Sequence, residues 1–531
     1  MISKFGVLGK VVFCAAAAAG ALAAPTLTLA APLTMAVGGA ITTVDPHFYS
    51  TGPNNSVSKH IFDMLTRTTG NLDLEPSLAE SWSAVDDLTW EFKLRPGVTF
   101  HNGAPFTADD VAFTLSRARN VPNSPGGFGG YLKSITKVEV VDPLTIRLHT
   151  AKPTPNLPRD MAFVAIVSKA VGENATTEDY NSGKAAVGTG PYVFSSYTPG
   201  DRIELTRNDK WWGKPQAWEK VTLKIINNPG ARIAALLSGG VDVIDAVPAS
   251  DLPRLKENKN VTVSSIEGVR VIFLQPDFSH DSAVPGVTDL KGAPLKENPF
   301  RDLRVRRALS IAINRDGLAD RVMQGTAAPT GQWLPKGNYS YAESIQPPKY
   351  DVALAKSLLT EAGYPDGFAL TLLSPNDRYP NDASTAQAVA SMWARIGVKT
   401  NVDAVPWSTY TARRAKNDFG ISLIGWGSGT GEAGQLLINV LGTYDQANGV
   451  GASNAGRYSN KKLDALREQA LSTIDVDARE KVLIQAVEVA MNDVAMIPMY
   501  MLRNYWGVRN GLTFEPRKDE HNLAMSVRPA N

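Results

Sequence analysis

Few side chains in this chain have the types and spacing that chemistry requires. The six His stand at positions 47, 60, 101, 149, 280 and 521. None belongs to a His-Glu-x-x-His pair, and no two are spaced to share a helix face as metal ligands. A single cysteine, Cys14, excludes both a disulfide framework and a thiolate cluster. There is no Gly-x-Ser-x-Gly elbow and no Gly-x4-Gly-Lys phosphate loop. One pattern does resemble a dinucleotide fingerprint: Gly429-Thr430-Gly431-Glu432-Ala433-Gly434, after the strand-like stretch 421–424 and before the apolar stretch 436–441. It lies late in the chain, and no second strand ending in an acid follows at about twenty residues. The reading that remains is a glycine-lined loop where backbone approaches a solute closely. No catalytic residue, metal or cofactor is expected.

The elements that would position such a loop follow from periodicity. The 531 residues suggest about three domains or two large lobes. The sequence alternates polar and apolar residues at Thr89-Trp90-Glu91-Phe92-Lys93-Leu94, a half-buried strand turned by Arg95-Pro96-Gly97. Residues 138–141 and 144–148 flank Asp142-Pro143 and read as a hairpin. Helices are expected over 107–119, with Thr107 as N-cap and Asp110 in the first turn, and over 351–362, stopped by Gly363. Two more are expected over 383–396 and 475–492. The class is α/β. A balance of 54 basic against 52 acidic residues carries no polyelectrolyte signature, so nucleic acid is not an expected partner.

The N-terminus adds a compartment. Lys4 and Lys10 precede an apolar run over 11–24, and Thr28-Leu29-Ala30 offers a small-residue exit. That is the layout of a cleaved signal peptide over residues 1–30, with a run too short to span a bilayer of ~30 Å. Phe13 precedes Cys14 and most of the run follows it, so lipidation is not expected. Both surplus positive charges and the thiol lie in this segment; without it, acidic and basic residues balance.

Several motifs then occur in a fixed order. They include Thr43-Val44-Asp45-Pro46-His47, Leu78-Ala79-Glu80-Ser81-Trp82 and Phe106-Thr107-Ala108-Asp109-Asp110-Val111. Further on stand Gly188-Thr189-Gly190-Pro191-Tyr192, Asn208-Asp209-Lys210-Trp211-Trp212, Arg304-Val305-Arg306-Arg307 and Glu361-Ala362-Gly363-Tyr364-Pro365. Together they resemble the extracellular solute-binding protein family 5, the dipeptide, oligopeptide and nickel receptors of ATP-binding-cassette (ABC) importers. The resemblance implies a two-lobed periplasmic binding protein fold of large type II-like form, with the ligand cleft between the lobes. On that pattern lobe one takes residues 31–65, 188–275 and 499–531, its extra subdomain takes 66–187, and lobe two takes 276–498. The crossings fall near Gln275-Pro276 and Ile497-Pro498. The implied protein is a monomeric periplasmic receptor that closes over a small solute and delivers it to membrane permease subunits. The glycines of Gly188-Thr189-Gly190 read as backbone punctuation with freedom for positive φ, and Arg304, Arg306 and Arg307 read as a solvated or lobe–lobe ion-paired helix face.

The resemblance also implies ligand positions. Ser50, Thr51 and Gly52 match the small-residue segment that contacts peptide. The carboxylate-holding arginine falls on Asn376 in a gapless alignment and on Arg378, beside Tyr379, after a shift of two residues. Trp407 matches a pocket tryptophan, with a buried structural role as the alternative. The segment Gly425-Trp426-Gly427-Ser428-Gly429-Thr430 departs from the dipeptide receptors, which carry at Gly429 an Asp that pairs with the ligand's ammonium. An unpaired, desolvated ammonium costs several kcal/mol. The departure therefore favours a modified or cyclic peptide, an opine-like conjugate or a sugar stacked on Trp407 and Trp426. Glu432 is the one nearby acid that could replace the missing carboxylate. The alternatives to an importer's peptide-type receptor are a nickel or metallophore receptor, for which His280 is the residue to test, and an exported hydrolase.

Overall fold

The computed structural model describes residues 32–530, so the signal-peptide segment lies outside the described residues. Twelve strands form one hydrogen-bonded ladder. At one end Val287–Thr288, Phe368–Pro375, Ile421–Gly427 and Val261–Pro276 lie side by side, with Val398–Val405 parallel to Phe368–Pro375. At the other, Val243–Ile244, Leu33–Val37, Lys220–Ile225, Arg202–Arg207 and Tyr192–Thr198 follow in order. The run Leu33-Thr34-Met35-Ala36-Val37 is buried and pairs in parallel on both sides, which is why it is apolar almost throughout.

Two long antiparallel strands, Val261–Pro276 and Ile497–Arg509, join the halves. Their register breaks between Glu267 and Val271, and the cores change owner at the same place. Val271 and Ile272 pack with second-lobe side chains such as Leu436, Leu372 and Trp393. Ile266 and Trp506 pack with Met35, Val221 and Tyr192. Leu274 and Ile497, beside the expected crossings, already belong to the second-lobe core. Gly268 sits in the break because a Cβ there would meet the Leu502 carbonyl at 3.0 Å and the Asn504 side chain at 2.8 Å. The result is a two-lobed α/β protein whose lobes share two strands.

A separate four-stranded antiparallel sheet, built from Ala79–Asp86, Thr89–Leu94, Thr145–Thr150 and Ile135–Asp142, has its own core with the helix Ala108–Arg117. Thr107 is the N-cap of that helix as expected, and Asp110 in its first turn reaches back to close a capping box. The expected hairpin, and the helices Val352–Glu361, Asp382–Ala394 and Val476–Asn492, all form.

The collinear motifs are structural joints. Asp45 accepts both ends of the Arg117 guanidinium at 2.9 and 2.8 Å, and His47 Nε2 bonds the Ala165 carbonyl at 2.7 Å. Burial, the largest single influence, would raise the Asp45 carboxyl, but the hydrogen bond and charge of Arg117 together with His47 hold it below its usual range. Asp63 accepts from Thr189, Trp211 and Trp212, fixing two more motifs at one buried carboxylate. Gly188 and Gly190 are required for close packing rather than for positive φ, since a Cβ at either would collide with the Ile61 carbonyl group. Arg306 also departs from expectation. It is buried and tied to Asp493 and to the Phe300 and Arg301 carbonyls, all within the second lobe. Among the described residues no helix is long and apolar enough to cross a membrane.

Candidate ligand-binding site

Three second-lobe segments leave the C-terminal ends of mutually parallel strands. Phe368–Pro375 leads into Arg378 and Tyr379, Val398–Val405 into the helix Trp407–Ala415, and Ile421–Gly427 ends in Gly425-Trp426-Gly427. Crevices at the carboxyl ends of parallel strands are where open α/β sheets bind ligands. Here the three ends enclose a cavity of about 640 Å³. Its wall includes Arg270, Arg378, Arg414 and Arg457 together with Tyr379, Trp407, Trp426 and Tyr444, and no carboxylate.

The aromatic rings hold the cations in place. The Arg378 guanidinium lies 5.3 Å from the Tyr379 ring centre and 5.4 Å from that of Trp407. Trp407 stacks on Tyr410 at 5.2 Å, and Arg414 lies 5.7 Å from the Tyr410 ring. Tyr379 meets Trp407 edge-on, and its hydroxyl donates to the Gly425 carbonyl at 3.2 Å. Arg457 covers Tyr444 at 3.7 Å. Of the four guanidinium groups, among the described residues only that of Arg270 has a carboxylate within 4 Å, Glu520 at 3.9 Å. Arg414 is buried, Arg270 and Arg457 are partly buried and Arg378 is exposed, so the wall presents positive charge to the cavity with little acid to offset it.

Arg270 reaches further because it stands in the register break, paired with Gly427 on one side only. It also lines a cavity of about 140 Å³ with Lys59, Phe163, Gly427, Gly429, Asp519 and His521. Burial lowers the Lys59 ammonium to about 8 against the opposing pull of Asp519. Asp519 bonds Arg517 at 2.6 and 2.9 Å and lies 3.0 Å from His521. A third space, about 510 Å³, opens between the lobes. There Gly52, Pro53, Asp245 and Tyr505 face Arg378 and Tyr379, again with Arg270.

The expected site residues separate into groups. Arg378, Tyr379, Trp407, Trp426 and Gly427 come together on the large cavity, whereas Asn376 lies outside it and donates to the Ala404 carbonyl. Gly429 lines the small cavity, and a Cβ there would meet nothing within 4 Å. Ser428 and Thr430 are buried off the cavities, their hydroxyls without partners. Of the N-terminal segment, Gly52 borders one of these three cavities and Ser50 and Thr51 border none of them. Ser50 bonds backbone to the Gly126 carbonyl, and the Thr51 hydroxyl is buried without a partner. Glu432 does not replace the missing carboxylate. It is 0% exposed, accepts from Arg479 at 2.5 Å and Asn156 at 3.1 Å, and so ties the second lobe to the extra sheet's neighbourhood. Gly431 of the fingerprint-like stretch packs on Leu72 and Asn338, not around open space. His280 bonds Asp277 at 2.8 Å and borders none of the three cavities. No group of three or more metal-ligating side chains occurs among the described residues.

Residue-type reasoning missed Arg270, Arg414, Arg457 and Lys59. Only Arg270 had a signal, the glycine two positions before it inside an otherwise strand-like run.

Residues 73–448 match the family model described as bacterial extracellular solute-binding proteins, family 5. The chain belongs to this family. A heme-binding protein A from Haemophilus influenzae is 30% identical over 473 residues, covering 84% of this chain and 82% of that protein. A glutathione-binding protein from Salmonella paratyphi A is 29% identical over 498 residues, covering 91% of each. Among solved structures, HbpA2 from Haemophilus parasuis superposes with a TM-score of 0.82 at 25% identity, over 94% of this chain and all of that one. As a family 5 protein, the chain is a solute-binding component of an ABC importer, and the lobed architecture is the family's own.

Proposed function

We propose that this protein is an exported, periplasmic receptor, without catalytic activity of its own, that holds a carboxylate-bearing, peptide-like solute in the large second-lobe cavity. The observation that carries this reading is a cavity wall with four arginines and no acid. Arg378 stands at the exposed mouth, where a planar guanidinium can take a carboxylate through two parallel hydrogen bonds. Trp407 and Trp426 supply flat apolar surface for the rest of the solute. Heme and glutathione, the ligands in two relatives' names, are both carboxylate-bearing molecules, which supports the anionic assignment. Without a side chain at Gly429, and with Glu432 committed to Arg479, no second-lobe acid meets a free ammonium at that loop.

Closure follows from the shared strands. Arg270 and the register break between Glu267 and Val271 form the pivot, so a solute that touches Arg270 from the second lobe also engages the first. Binding the closed state better than the open one is all the mechanism requires, and the loaded monomer then docks on its permease subunits. The boundaries between lobes follow the change of core at this break.

A thermal-shift titration with N-acetyl-Ala-Ala tests the reading. The peptide should raise the melting temperature of the wild-type protein by mass action. Trp407→Ala and Trp426→Ala should lose that shift, with a cooperative unliganded melt, lowered by the lost packing, showing that each variant is folded. Normal shifts in both variants would show that the solute lies elsewhere.

A further inference from the structure

Resting on that reading, we propose that Arg414 and Arg457 form a second anion-binding position in the same cavity, so that the preferred solutes carry two acidic groups.

Arg414 is only 9% exposed, yet its Nε has no hydrogen-bond partner. Its hydrogen bonds all come from Nη2, to the Gln275 side chain and, at 3.5 Å, to the Ser453 carbonyl. Other buried arginines are provided for. Arg232, Arg306, Arg467, Arg479 and Arg517 each have a carboxylate within 4 Å. Arg315, with none, spends all three nitrogens on the Pro498 carbonyl and on Ser310. The Arg467 Nε also lacks a partner, but its guanidinium is paired with Asp464 and Glu468. Arg414 combines an unspent, desolvated donor with no carboxylate within 4 Å among the described residues, and it lines a cavity.

Arg457 adds a second cation on the same wall. Its backbone lies in the left-handed region at φ 57°, a conformation disfavoured for a side chain of this size. The side chain rests on Tyr444 and makes one hydrogen bond, to the Asn454 carbonyl at 3.2 Å. The buried indole N–H of Trp426, also without a partner, supplies a further donor to the cavity. Arg378 serves a different group, because it contacts the Trp407 ring while Arg414 contacts Tyr410, the next ring in the stack.

The test uses two peptides that differ in one charge. N-acetyl-Ala-Glu and N-acetyl-Ala-Gln share an α-carboxylate, lack an ammonium and have nearly the same shape. Calorimetric titration at neutral pH should show the Glu peptide binding wild type about 30-fold more tightly, the scale of a desolvated charge-assisted pair. Arg457→Gln should weaken the Glu peptide about tenfold more than the Gln peptide. Arg414→Gln should do the same, with its melting curve checking that the buried substitution is folded. Equal affinities for the two peptides, or a preference that survives both substitutions, would overturn the second position and leave the single-carboxylate reading standing. Failure of both peptides to bind wild type would overturn both.

Discussion

The arginines of the scaffold and those of the cavity solve opposite problems. Arg117 is locked to Asp45 by two hydrogen bonds and carries Tyr180 under its guanidinium, binding the first strand's exit loop to the helix of the extra sheet. Arg479 is likewise held by Glu432. Arg378, Arg414 and Arg457 lean on aromatic rings instead, with no acid among the cavity's lining residues. A paired buried charge stabilises the protein chiefly by not being left alone; an unpaired one adds nothing to the resting fold and waits for a partner from solution. What separates joints from cavity residues is whether the guanidinium is provided for inside the fold, by a carboxylate as at Arg117 or by carbonyls and a hydroxyl as at Arg315.

Breaking a joint should have the largest effect. Arg117→Met strands the Asp45 carboxylate in a site it shares with His47, and should cost about 3–5 kcal/mol in denaturant unfolding. The same change leaves the cavity wall intact, so the affinity of the folded fraction for N-acetyl-Ala-Ala should be unaltered. A loss below 1 kcal/mol would erase the distinction.

Supplying the cavity region with an acid should act on ligand choice rather than on stability. Gly429 has room for a side chain and a φ that any residue tolerates. Gly429→Asp should raise the affinity for Ala-Ala relative to N-acetyl-Ala-Ala by about tenfold, through a new partner for the free ammonium. An unchanged ratio by calorimetry would show that the loop does not face the peptide's amino end.

The smallest effect concerns pH. Lys59, lowered by burial to about 8, is charged below that pH and neutral above it. His521, lowered by burial, is neutral at pH 7 and above; Asp519, held low by His521 and Arg517, stays ionised, and Lys518 is also lowered by burial. Affinity for an anionic solute should therefore fall about threefold between pH 7 and 9 as the Lys59 charge is lost. Lys59→Gln should flatten most of that decline, and an equally steep profile in the variant would exclude Lys59.

Much of the scaffold was legible because it repeats local rules. The Thr107 capping box, the Asp142-Pro143 hairpin and the Gly363 stop each follow from a few neighbouring residues. The motifs pointed to a family, and the structure shows what several of them do in the fold: Asp45 holds Arg117, and Thr189, Trp211 and Trp212 all donate to Asp63. Arg378, Trp407 and Trp426, expected from the resemblance, line one cavity because each lies just past or at the end of a parallel strand. The remainder depends on which charges lack partners, a property of the folded chain. Arg413 and Arg414 are adjacent and alike in sequence, yet Arg413 pairs with Asp403 and Asp418 while Arg414 turns inward. Glu432 misled for the converse reason, its partner Arg479 lying 47 residues away.

The central claim is that the unpaired arginines exist for an anionic solute. Native mass spectrometry of the protein purified from its native cells, followed by release and identification of whatever it retains, tests this most directly. The account predicts a retained solute with at least one carboxylate, absent from Arg378→Gln protein that melts like wild type. A neutral or cationic solute, retained equally by Arg378→Gln, would contradict it.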